Sequence, residues 1–147
     1  MTEKQTDTSA ALKSLIVLAR AQHAVEEEVR KDIQSHGLTP TEFGVLELLF
    51  HKGKQPIQHI GKRILLTSGS MTYVIDKLEK KELLQRVRCP KDRRIVYAEI
   101  TDKGYQQIER IFPAHEEKIT EIFSVLNPEE KEQFITLLKR VGLSLHK

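Results

Sequence analysis

Two groups of polar side chains suited to binding nucleic acid lie close together in the sequence, between residues 64 and 100. Short hydroxyl side chains open a predicted helix, and arginines crowd the turn between two β-rich runs that follow it. Hydroxyl and guanidinium groups hydrogen-bond to phosphates and to base edges. A helix in a major groove with a β-ribbon against the neighbouring minor groove is typical of a winged helix-turn-helix, so the segment predicts binding of double-stranded DNA. The candidate DNA-binding residues are Thr67, Ser68, Ser70, Thr72, Tyr73, Lys77, Arg86, Arg88, Lys91, Asp92, Arg93 and Arg94.

The hydroxyl residues have two compatible interpretations. Thr67 or Ser68 can serve as the N-cap of the predicted helix, a role that needs no DNA. A capped helix end nevertheless presents free N–H groups to a phosphate, and the first turns of a recognition helix reach base edges. Further along the same helix, we expect Tyr73 and Lys77 to contact the DNA backbone rather than the bases.

The basic turn between the β-rich runs is the predicted wing. Arg94 is its strongest candidate, because an arginine at the tip of a β-ribbon can enter an A·T-rich minor groove, where the negative potential is enhanced. The other basic residues of the wing, and two in the preceding helix, are candidates for phosphate contacts or are simply solvated: Arg86, Arg88, Lys91, Arg93, Lys62 and Arg63.

Positive charge is concentrated on this part of the chain. The whole protein carries a net charge of only +3, whereas the stretch from Lys54 to Arg94 holds eleven Lys and Arg against four acids, a net charge of +7. The remainder therefore carries a net charge of −4. Such an asymmetry favours a nucleic-acid partner for the segment.

The surrounding sequence predicts the elements that position these residues. Apolar residues recur at helical spacing on both sides of the segment, and Thr39, Pro40 and Glu42 form a capping box that begins a second helix. The predicted fold is mainly α with a small β-hairpin wing, in a single domain spanning residues 1–147. A winged helix-turn-helix at about 39–100 is flanked by long dimerisation helices at about 10–36 and 101–146. Their apolar stripes exceed what one module can cover, which favours a homodimer that reads a palindromic operator.

Other classes of protein are disfavoured. The chain has no P-loop, no G-x-G-x-x-G and no G-x-S-x-G, so we expect no enzyme and no cofactor. Its six histidines are scattered without ligand spacing, so we expect no metal site. One cysteine excludes an internal disulfide, and the longest apolar run is too short to span a bilayer, so we expect a cytoplasmic protein with no membrane partner. A winged helix that binds a protein partner and a transcription activator remain open alternatives.

The order of elements and four motifs resemble the MarR family of bacterial transcription regulators. The motifs are L-T-P-T-E-F-G-V-L-E-L-L (38–49), I-L-L-T-S-G-S-M-T-Y-V-I-D-K-L-E-K-K-E-L-L (64–84), P-K-D-R-R (90–94) and I-T-D-K-G (100–104). Within the family the chain resembles the MhqR-like subgroup that responds to quinones. The resemblance implies a homodimeric repressor that leaves its operator when a small phenolic, an oxidant or an electrophile acts on it. It also implies that Asp92 positions an arginine of the wing, although an aspartate here can equally serve only to form the turn.

Two types of switch are compatible with the sequence. Cys89 begins the wing turn beside Arg88, and nearby cations stabilise a thiolate that an oxidant or quinone can modify. Thiol-sensing members of the family carry their cysteine near the start of the first helix, where this chain has none. The alternative is a non-covalent site for a small aromatic ligand, which the resemblance implies at the junction of the dimerisation helices and the winged module. Its candidate lining residues, each also a plausible core residue, are Leu15, Leu18, Ala19, His23, Phe43, Leu46, Glu47, Ile108 and Phe112.

Overall fold

The computed structural model describes residues 3–64 and 68–146, with the side chains of residues 68 and 69 excluded. Its elements are α1 (Glu3–Ser35), α2 (Pro40–Lys52), β1 (Gln55–Pro56), α3 (Ile57–Arg63), α4 (Ser68–Lys80), β2 (Leu84–Arg88), β3 (Val96–Ile100), α5 (Asp102–Ile122), a 3-10 turn (Phe123–Val125) and α6 (Pro128–Ser144). The predicted fold class, mainly helical with a small β wing, is confirmed.

Two helices begin with the same local device. At the start of α2, the Thr39 hydroxyl accepts from the Glu42 N–H at 3.1 Å, and Glu42 Oε1 accepts from the Thr39 N–H at 2.9 Å. At the start of α6, Asn127 and Glu130 exchange the equivalent bonds at 2.8 and 3.0 Å. Each box satisfies N–H groups that a helix start otherwise leaves unpaired.

The three strands form one antiparallel sheet in the order β1-β3-β2. Leu84 pairs with Ile100 and Arg88 with Val96, which sets the register of the wing. The sequence reasoning missed β1, because a strand of two residues is too short to show an alternating pattern. It pairs Gln55 with Ala98 and fixes the start of α3 against the sheet.

The core is centred on the winged module and extends to Ile33 on α1 and to Ile108 and Ile111 on α5. The buried apolar residues lie between Ile33 and Ile111 in the sequence. Those of α2, α4 and the sheet form the centre of the core. Met71, Val74, Ile75 and Leu78 recur at helical spacing and form a buried stripe along α4. Burial of this stripe leaves the opposite face of α4 towards solvent.

The first turn of α5 is held tightly against the start of the wing. The Thr101 hydroxyl caps the Gly104 N–H at 3.1 Å and donates to the Glu82 carbonyl at 2.6 Å. A Cβ on Gly104 would clash with the Leu83 carbonyl oxygen and lie 2.9 Å from Cγ1 of Ile100. Only glycine permits this close approach of helix to backbone.

The two ends of the chain differ from the module because their apolar residues are exposed. Helix α1 begins at Glu3, seven residues before the predicted start, since its first turns lack the apolar repeat on which the prediction relied. The apolar residues of its first half are 44–64% exposed, and those of α6 are 40–66% exposed. None of the described helices is long and apolar enough to cross a membrane.

Candidate nucleic-acid interface

Helix α4 turns its polar face outward, as a recognition helix must. Ser70, Thr72 and Tyr73 are exposed, and Tyr73 exposes 67% of its surface. Ser68 is the first residue of the helix, and Thr67 lies outside the described residues. The polar face therefore carries two of the predicted hydroxyls and the predicted aromatic residue.

The wing tip is a turn stabilised by its own backbone. The Cys89 N–H donates to the Ile95 carbonyl, and the Ile95 N–H donates to the Asp92 carbonyl, each at 3.0 Å. The side chain of Cys89 is half-buried in this turn. Arg88, Lys91 and Arg93 are exposed around it. The predicted phosphate-contacting residues of α3, Lys62 and Arg63, are exposed as well.

Asp92 holds Arg94, in the contact that the sequence resemblance implied. Oδ1 accepts from the Arg94 N–H and Nε, each at 3.0 Å, and Oδ2 accepts from an Nη at 3.1 Å. The side-chain and backbone hydrogen bonds from Arg94 lower the pKa of Asp92, and the same side-chain bond raises the pKa of Arg94. Arg94 still exposes 90% of its side chain, so the guanidinium is both oriented and accessible.

Arg86 links the wing to α4. Its guanidinium donates to Asp76 and to Glu79, each at 2.6 Å, and only 31% of its side chain is exposed. The hydrogen bond to Asp76 raises the pKa of Arg86 against the opposing effect of burial. Sequence reasoning placed Arg86 among the phosphate contacts; the structure places it between two carboxylates of α4.

Glu42 makes a second link to α4, on its other side. Besides its capping bond, it accepts from Lys81 Nζ at 2.7 Å and lies 3.9 Å from Lys77 Nζ, while 1% of its surface is exposed. Burial raises the pKa of Glu42, but the hydrogen bonds from Lys81 and Thr39 and the two lysine charges outweigh it, so the pKa is lowered. Sequence reasoning assigned Glu42 only to the capping box. No local sequence pattern indicated this second role, because Lys81 lies 39 positions from Glu42.

The structure brings the helix and wing candidates to one cleft. It has a volume of about 580 Å³ and is lined by residues of α3, α4, β2 and the wing, among them His59, Thr72, Arg86, Arg94 and Tyr97. A hydroxyl of the recognition helix and the wing arginine therefore face the same space. Helix and wing can contact one nucleic-acid ligand together.

The candidate ligand-pocket residues divide into two groups in the single chain. Phe43, Leu46 and Ile108 are no more than 3% exposed and belong to the core, whereas Glu47 and Phe112 are half-buried. Those on α1, Leu15, Leu18, Ala19 and His23, are all exposed. Within one chain these residues do not line a common cavity.

Two of the grooves along helix α1 contain residues of this predicted site. A groove of about 700 Å³ contains Leu18 together with Phe123, Phe134 and Leu138 from the other end of the chain. A separate groove of about 500 Å³ contains His23 with other residues of α1 and with Pro40, at the junction of α1 with α2. Among the described residues, no cluster of three or more His, Cys, Asp or Glu is arranged to hold a metal ion.

Comparison with known proteins gives consistent matches. Residues 38–96 match the model of the MarR family. The HTH-type transcriptional regulator MhqR of Bacillus subtilis is 55% identical over 137 residues, which cover 93% of this chain and 94% of MhqR.

Two solved structures share the fold. BpsR of Bordetella bronchiseptica, described with the mechanism by which 6-hydroxynicotinic acid regulates its DNA binding, is 26% identical with a TM-score of 0.78, covering 88% of this chain and 98% of BpsR. Sco3205 of Streptomyces coelicolor, a MarR family regulator solved in complex with DNA, is 23% identical with a TM-score of 0.82, covering 97% of this chain and 89% of Sco3205. MhqR and Sco3205 are transcription regulators, and BpsR is a protein whose DNA binding is regulated.

Proposed function

This chain belongs to the MarR family of DNA-binding transcription regulators, and from that premise we propose that it is a homodimeric repressor which leaves a palindromic operator when a small aromatic ligand binds. The observation that carries the proposal is Arg94, which is oriented by Asp92 and exposed at the wing tip. A fixed, accessible guanidinium at this place is suited to a narrow minor groove.

In the proposed complex, α4 lies in the major groove. Its exposed residues Ser70, Thr72 and Tyr73 contact bases or phosphates there, together with Lys77. From the sequence alone we also propose contacts by Thr67, which lies outside the described residues, and by Ser68. Arg88, Lys91 and Arg93 add phosphate contacts around the wing, and Arg94 enters the adjacent minor groove. In this proposal the winged helix-turn-helix comprises about 39–100 of a single 147-residue domain.

The terminal helices supply the proposed dimer interface. Some of their exposed apolar residues, among them Leu18, Phe134 and Leu138, line the groove of about 700 Å³ between α1 and α6, and a second copy of the chain would cover the exposed apolar residues. Two-fold symmetry then presents two recognition helices to successive major grooves, which is the geometry that reads a palindrome. A cytoplasmic location follows from the DNA partner.

The proposed ligand site is the junction of α1 with α2. The groove of about 500 Å³ that contains His23 and Pro40 lies between a terminal helix and the module. A hydroxylated aromatic acid regulates the structural relative BpsR, which supports a ligand of this class. Modification of the half-buried Cys89 in the wing is the alternative switch.

The proposal is tested by selecting duplexes from a random-sequence DNA library with the purified protein. We expect one palindromic sequence to be enriched, and Arg94→Ala to weaken binding to it by about tenfold or more, because the minor-groove contact is lost. Arg110→Ala, an exposed arginine on α5 away from the interface, is the control and should bind as wild type does. If Arg94→Ala binds as tightly as wild type while keeping its fold, the wing assignment is wrong.

A further inference from the structure

Glu42 is a buried carboxylate whose partners lie on two different helices. Among the described residues it is the charged side chain with the least exposure, 1%. A buried charge is costly unless opposite charges and hydrogen bonds satisfy it. Oε1 accepts from the Thr39 N–H on its own helix, and Oε2 accepts from Lys81 Nζ beyond the end of α4.

The two lysines connect Glu42 to the C-terminal end of α4. Lys77 lies within the last turn and Lys81 follows it, with the Lys81 N–H bonded to the Lys77 carbonyl at 3.1 Å. Both ammonium groups approach the same carboxylate, at 3.9 and 2.7 Å. A rotation of α4 about its axis would carry both lysines away from Glu42 and leave a buried charge without partners.

The carboxylate is also next to the surface that faces DNA. A cleft of about 500 Å³ is lined by Thr39, Thr41, Glu42, Ser70, Tyr73, Val74 and Lys77. Glu42, which contacts the end of α4, therefore lines the same cleft as Ser70 and Tyr73, which α4 exposes. A small rotation of the helix would move Ser70 and Tyr73 relative to the module.

We propose that Glu42 is a positioning residue, which sets the rotation of α4 on the module and so aligns the recognition face with the bases. The inference rests on the proposed DNA-binding role of α4. In this proposal Glu42 contacts no DNA itself, but it determines how well the protein distinguishes one DNA sequence from another. Affinity for DNA of any sequence, which depends chiefly on phosphate contacts, is set elsewhere.

The chain contains a matched control for this role. Glu130 occupies the same third position of the capping box at α6, after the same proline spacing, and is exposed. Glutamine also completes a capping box, so Glu42→Gln and Glu130→Gln both keep their caps. In Glu42→Gln, however, the atom that accepts from Lys81 becomes an NH₂ donor facing an NH₃⁺ donor.

The experiment compares binding to a duplex selected from a random library by the wild-type protein with binding to a shuffled duplex of the same composition. We expect Glu42→Gln to lower the ratio of the two affinities by about tenfold, with binding to the shuffled duplex undiminished, because the lysines keep their charge. Glu130→Gln should leave the ratio unchanged. A purely stabilising role would lower the melting temperature but not the ratio measured on folded protein.

A second variant tests the pairing itself and remains informative if Glu42→Gln fails to fold. Lys81→Met removes the donor from the other side, and we expect it to lower the ratio in the same direction by a smaller factor. The double variant Glu42→Gln/Lys81→Met should have a higher ratio of the two affinities than Glu42→Gln alone, because two donors no longer face each other.

The outcomes separate this inference from the proposed function. If the wild-type protein selects no sequence, the proposed function fails and the inference fails with it. If the wild-type protein selects a sequence and Glu42→Gln discriminates as well as wild type, only the positioning role is wrong. If Glu42→Gln does not fold, the same conclusion follows when Lys81→Met discriminates as well as wild type. An equal loss in Glu130→Gln would likewise overturn it.

Discussion

The winged module and the terminal helices use apolar residues in opposite ways. In the module, the α4 stripe and its neighbours on α2 and the sheet are buried within one chain. On α1 and α6, residues of the same types stay about half exposed, with Leu15 at 64% and Val141 at 58%. Burial of each such side chain contributes roughly 1.5–3 kcal/mol. The apolar residues of the module are therefore covered within one chain, whereas those of α1 and α6 are not.

The two regions meet where α1 packs against α5. His115 Nδ1 lies 3.1 Å from Asp32 Oδ2, and Lys118 Nζ lies 3.2 Å from Glu28 Oε2. His115 also contacts the ring of Phe43 on α2, with centroids 4.7 Å apart. Polar and aromatic contacts therefore connect α1 with the module through α5.

The largest expected effect comes from breaking the module. Gly104→Ala places a Cβ against the Leu83 carbonyl oxygen, and neither backbone segment can yield without losing the Thr101 hydrogen bonds. We expect the free energy of unfolding, measured by urea denaturation, to fall by roughly 3 kcal/mol or more. Gly142→Ala in α6 is the control, because a Cβ there meets nothing within 4 Å. It should stabilise the helix by up to about 1 kcal/mol. Equal midpoints for Gly104→Ala and wild type would contradict the close packing of α5 on the wing.

The next effect separates the two regions without unfolding either. Leu138→Glu puts a charge into the apolar groove between α1 and α6, where Leu138 is 40% exposed. We expect a monomer in sedimentation, a circular dichroism spectrum close to wild type, and loss of tight operator binding because the two half-sites are no longer joined.

Lys139→Glu is the control for that charge. The adjacent residue points about 100° away around the helix, so its larger change in charge should leave the dimer intact. A Leu138→Glu protein that sediments as wild type does would mean that this face of α6 does not form the interface.

Local features of this fold could be read from sequence, whereas pairings between distant residues could not. The α2 capping box was predicted from residues three positions apart, and the contact of Asp92 with a wing arginine, which the resemblance implied, joins residues two positions apart. Glu42 and Lys81 are 39 positions apart, and Arg86 reaches Asp76 across a helix and a strand, so spacing gives no sign of either pair. The pocket prediction mixed core residues such as Leu46 with exposed ones such as His23, because the resemblance implied a junction between elements and not which residues one chain buries there.

The smallest expected effect decides which of the two regions contains the switch. Cys89→Ser changes one atom of a half-buried side chain and keeps the bond from the residue 89 N–H to the Ile95 carbonyl. We expect the variant to bind the selected duplex as wild type does, and to be released as wild type is by a hydroquinone, which does not alkylate thiols. That result would exclude the Cys89 thiol as the switch and support a non-covalent site such as the proposed junction of α1 with α2.

The same variant with benzoquinone, which alkylates thiols, tests the wing. If wild type is released by benzoquinone but not by the hydroquinone, and Cys89→Ser resists both, the switch is covalent and lies at the wing. Alkylation there would add bulk beside Asp92 and Arg94 and displace the guanidinium that their hydrogen bonds orient. The terminal helices would then serve only to hold two modules together, and the contacts of Asp32 and Lys118 between α1 and α5 would have no part in release.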